Sequence, residues 1–81
     1  FHPFHLTFHP DILKRVANEE EKDEGLPYSH VLALACIIIN QPLALFGVPL
    51  KHTFRVRVTR EANVVPTSSQ TRMKKKLYAN F

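Results

Sequence analysis

One cysteine, Cys36, is all the sequence offers for thiol chemistry, so an intramolecular disulfide and a cysteine-built zinc site are both excluded. Glycine is nearly as scarce. Gly25 and Gly47 are the two present, too few for a glycine-rich loop around a phosphate. No charged residue falls between Val31 and Leu50, and a single acid, Glu61, falls after Lys51. The first ten residues lack the charged start and apolar run of a signal peptide. The chain opens on Phe1 rather than Met, so an upstream part is expected to have been removed, and any targeting signal with it.

Catalytic constellations are also missing. Nucleophilic catalysis needs a nucleophile, a base and an orienting group in contact. Cys36 lies inside the apolar stretch, where burial makes a thiol inert, and no two carboxylates sit in settings that would separate their pKa values. The acids from Glu19 to Glu24 read as a solvated helix end. The chain therefore reads as non-enzymatic and as using no cofactor.

What is present is unevenly distributed. The formal charge of +4 is the sum of two opposite ends: residues 1 to 29 carry six acids against three bases, and residues 51 to 81 carry eight bases against one acid. At 81 residues the chain makes one small core at most, and such cores usually need a disulfide, a metal, a partner or a membrane for support. Without disulfide or zinc, a partner or a membrane is the expected support. A free monomer is not expected.

Residues 1 to 10 repeat Phe-His three times, at Phe1-His2, Phe4-His5 and Phe8-His9; Pro3 and Pro10 favour extended backbone, and the stretch reads as an arm laid on another surface. His2, His5 and His9 would share a face only on a helix that the prolines oppose, so metal binding is set aside. A small metal or cofactor carrier is kept only as a third reading, and His30 and His52 read as anchors. Pro10 suits a first helical turn, and Ile12, Leu13, Val16 and Ala17 recur at helical spacing up to about Lys22. Gly25 then ends the helix, and Ser29 is a fair cap for the next element.

Val31 to Leu50 is long enough, as one helix of about 30 Å, to cross the hydrocarbon core of a bilayer. Asn40, Gln41 and Pro42 interrupt its centre, so it predicts a proline-interrupted transmembrane helix whose two amides face neighbouring protein. The competing soluble reading makes Asn40-Gln41-Pro42 a turn between two buried elements, with Ile37, Ile38 and Ile39 favouring a strand.

Thr53 to Thr59 alternates apolar Phe54, Val56 and Val58 with Arg55, Arg57 and Thr59, which predicts a basic strand. Thr67 to Thr71 reads as linker, and Arg72 to Phe81 as an extended docking tail built on three lysines and flanking aromatics.

The fold class expected is mainly α with a short β element, in three segments: an arm and amphipathic helix over 1–29, the spanning segment over 30–52, and a basic strand and tail over 53–81. A small soluble α+β protein is the alternative. The function expected is a non-catalytic accessory subunit of a multi-subunit membrane complex. A mitochondrial inner membrane comes before a plastid one, with the C-terminus on the matrix or stromal side by the positive-inside rule. Its partners would be other subunits and lipid. The alternative function is an RNA-associated, ribosomal-type protein docked through the basic half. No catalytic, cofactor or metal residue is expected. Partner contacts are expected from Phe1, Phe4, Phe8, Asn40, Gln41, Arg55, Arg57, Lys74, Lys75, Lys76, Tyr78 and Phe81.

Overall fold

The computed structural model describes residues 9–43 and 52–80, which form four helices. They are α1 (Pro10–Glu24), α2 (Tyr28–Ile39), α3 (His52–Asn63) and α4 (Thr67–Tyr78). Helix α2 is the centre of the packing, touching each of the other three, and α1 also packs on α4.

Helix α1 follows its sequence signals. His9 is the cap, its ring Nδ1 accepting from the Asp11 backbone N–H at 3.3 Å, and Pro10 needs no amide partner in the first turn. Leu13, Val16, Ala17 and Glu20 form the buried stripe at helical spacing. Gly25 closes the helix at φ 68°, where its N–H donates to the Glu21 carbonyl at 2.9 Å.

The expected transmembrane helix is not there. Helix α2 stops at Ile39, and among the described residues no helix is long and apolar enough to cross a membrane. The stop is chemical. Asn40 adopts the left-handed conformation at φ 61°, its N–H reaches the Ile37 carbonyl at 3.3 Å, and the Gln41 N–H reaches the Cys36 carbonyl at 2.9 Å. This pair of reversed bonds is a Schellman closure, and Pro42 directly behind it cannot extend a helix. The amides thus end a helix instead of interrupting one. Helix α2 is apolar almost all round because it is covered on several sides: Val31 through Cys36 and Ile39 are buried. It also begins earlier than Ser29 suggested, with Pro27 as cap.

The expected strand over Thr53–Thr59 is the second correction, since that stretch lies inside α3 and no strand occurs among the described residues. The same absence overturns the α+β alternative. The decisive spacing is that of Val58 and Ala62, both buried and one helical turn apart, while Val56 is 51% exposed; Val65, just past the helix, is buried with them. Arginine, glutamate and alanine also favour helix over strand.

The extended C-terminal tail is the third correction. Thr67 to Thr71 opens α4, and Ser69, Met73 and Leu77 are its buried stripe. Lysines in a last helical turn complement the helix dipole, so Lys75 and Lys76 support this helix. Asn80 adds a side-chain bond to the Lys76 carbonyl at 2.8 Å.

Candidate functional site: charged surfaces and a cleft

The acids of α1 are not all solvated. Glu20 continues the stripe begun by Leu13, Val16 and Ala17, so helical geometry carries its carboxylate into the seam between α1 and α4, where its side chain is 0% exposed. Helix α4 answers from beside its own stripe. Arg72 precedes Met73 and Lys76 precedes Leu77, which aims both cations at the same seam.

The Arg72 guanidinium donates to Glu20 Oε1 at 2.9 Å through Nη2 and to Oε2 at 3.4 Å through Nε. Its Nη2 also donates to Ser69 Oγ at 3.0 Å. Lys76 Nζ donates to Glu20 Oε2 at 3.2 Å and to Glu19 Oε1 at 3.3 Å. A further ion pair joins Arg72 to Glu24 at 3.4 Å. Burial pushes the Glu20 carboxyl up, but the hydrogen bonds and charges of Arg72 and Lys76 together outweigh it and hold the group below its ordinary value. The bonds to Glu20 hold Arg72 above its ordinary value. Two bases of the C-terminal half, Arg72 and Lys76, are therefore matched by acids of the N-terminal half within the fold.

Sequence reasoning missed this network. Its signal was the position of Glu20, one step further along the α1 stripe, together with the four-residue spacing of Arg72 and Lys76.

The expected partner residues separate into groups. Lys76 is engaged with Glu19 and Glu20, while Lys74 and Lys75 are exposed on α4. Tyr78 closes α4 with 45% of its surface exposed. Asn40 is exposed at the end of α2 and Gln41 beside it is half-buried. Neither lies in a spanning helix. Phe1, Phe4, Phe8 and Phe81 lie outside the described residues, as do His2 and His5 of the phenylalanine-histidine arm. Among the described residues no three His, Cys, Asp or Glu side chains gather to hold a metal.

Arg55, Arg57 and Arg60 are exposed on α3 and form no ion pair with any described residue. At about 100° per residue, Arg57 and Arg60 stand roughly 60° apart on the side away from buried Val58 and Ala62. Arg55 stands on the flank next to that buried face. There it lines a cleft of about 310 Å³ with Val58 and Thr59 of α3, and with Cys36, Ile37, Asn40, Gln41, Pro42 and Leu43 from the end of α2. Burial pushes the Cys36 thiol up to about 12, which leaves it a neutral part of the wall.

No family model, curated protein or solved structure matches this chain.

Proposed function

We propose that this chain is a non-catalytic docking component of a larger assembly, and that the outer face of α3 holds the phosphates of an RNA. The observation that carries this reading is a division of labour among the cations. Arg72 and Lys76 are matched by acids within the fold, whereas Arg57 and Arg60 stand on the outer side of α3 and meet no carboxylate among the described residues. Guanidinium groups bind phosphate in two-pronged fashion, and two placed three residues apart on one helix face can take neighbouring phosphates. Arg55, Lys74 and Lys75 add to the positive field. The neutral, buried Cys36 thiol supports the non-catalytic part of the reading.

The test is binding of a single-stranded RNA oligonucleotide at a series of salt concentrations. Replacing Arg57 and Arg60 together with Ala is expected to lower the slope of log K against log salt by roughly 1.4, two phosphate contacts at about 0.7 each. Helical content should stay unchanged. Absence of binding by the unaltered chain at low salt would reject the proposal.

A second reading is favoured by Val56, half exposed between Arg55 and Arg57. Apolar and arginine side chains side by side suit a protein interface. On that reading α3 docks on an acidic subunit of an organelle membrane complex, from outside the bilayer. Alkaline carbonate would then release the chain from membranes, and the α3 variant would fail to co-purify with the complex.

A further inference from the structure

The cleft beside α3 has a lining that divides by chemistry. Cys36, Leu43 and Val58 are each less than one-tenth exposed and supply an apolar floor. Arg55, Asn40 and Gln41 supply a polar rim, and Arg55 is its only ionised group among the described residues. The local sequence explains the shape. The left-handed turn at Asn40 takes the chain off the axis of α2, and Ile37 on the last turn is left 42% exposed as a side wall. Thr59, also in the lining, is hydrogen-bonded back to the Arg55 carbonyl at 3.1 Å, so its hydroxyl proton is already used.

An apolar recess with one guanidinium at its mouth is complementary to a molecule with an apolar body and one anionic head. A neutral apolar ligand would leave the guanidinium without a partner, and a multiply charged one would exceed the one cation that the described residues place at the rim. The volume lies at the small end of ligand-binding clefts, which run from about 300 to 1,000 Å³. We propose that this cleft binds a small amphipathic carboxylate, its apolar body on Cys36, Leu43 and Val58 and its carboxylate paired with Arg55. The proposal is independent of RNA docking, which is carried by Arg57 and Arg60 on the other side of the helix.

The experiment titrates the full chain with octanoate while the backbone amide signals of Cys36, Ile37, Asn40, Arg55 and Val58 are followed by NMR. Saturable shifts at these residues are expected, with octanol, the uncharged counterpart, binding at least about tenfold more weakly. Arg55→Gln should remove that preference, while Arg57→Ala with Arg60→Ala should leave it intact. Unaltered signals in the folded protein at millimolar octanoate would overturn the proposal. So would equal binding of octanoate and octanol, or a preference that survives Arg55→Gln. Circular dichroism of the Arg55→Gln chain keeps the test meaningful, because an exposed residue on α3 should be replaceable without loss of helix.

Discussion

Glu20 gives the fold a dependence on acid. Its carboxylate is held below the ordinary value near 4.5, so the stability it contributes is present above that value and is lost as pH falls through the folded-state value. Lys76 works in the opposite direction. Burial pushes its ammonium down, the bonds to Glu20 and Glu19 push it up, and the net effect is upward from 10.5. Its contribution is present below that value and disappears as pH rises through the folded-state one. Glu20→Gln replaces a buried acceptor by an amide whose N–H₂ meets two donors, and should cost about 1 to 3 kcal/mol at neutral pH. Urea midpoints at pH 7 and pH 3 check this: the variant should lose much less than the parent between the two. An equal loss in both would shift the origin of the acid sensitivity to other carboxylates. Cys36 gives a second residue-level expectation. With the thiol buried and raised to about 12, its alkylation at pH 8 should run many times slower in the folded chain than in the urea-unfolded one.

The helix ends show how far sequence reasoning reaches at the level of elements. Helix α1 was legible because proline, an apolar stripe and glycine agree with one another from Pro10 to Gly25. Helix α2 was legible only as a choice between a span and a turn, since Asn40-Gln41-Pro42 is compatible with either until the backbone bonds at Cys36 and Ile37 are known. In α3 the short alternation of Phe54, Val56 and Val58 concealed the four-residue step from Val58 to Ala62. In α4 the run of lysines hid a stripe of just Ser69, Met73 and Leu77, the first of them polar. The RNA-facing and cleft-facing arginines were visible as basic residues, but their division between two sides of α3 required the helix.

The left-handed positions supply the prediction at this scale. Asn40→Gly should be close to neutral, whereas Asn40→Val should destabilise by about 1 to 2 kcal/mol, because a branched side chain opposes positive φ. Thermal unfolding of the two variants separates these outcomes. Two equal melting temperatures would contradict the assigned closure of α2.

At the scale of the whole molecule, one core gathers side chains from all four helices. The C-terminal end therefore belongs to the fold and is not an arm added to it. Removing residues 66–81 takes away Met73 and Leu77, both 0% exposed, and leaves Glu20 without its cations. Two such side chains are worth about 3 to 6 kcal/mol together, comparable with the roughly 4 to 12 expected for a chain of this length. The truncated chain should lose its cooperative thermal transition, and a transition of undiminished sharpness would contradict the packing of α4. Helices α3 and α4 have their principal contacts on α2 and α1, across the join between Leu43 and His52. Neither side of that join holds a complete interior. Cut there, the chain becomes a split protein: the two pieces, made separately, should each be poorly helical and should regain helix on mixing, which would make the molecule its own complementation reporter.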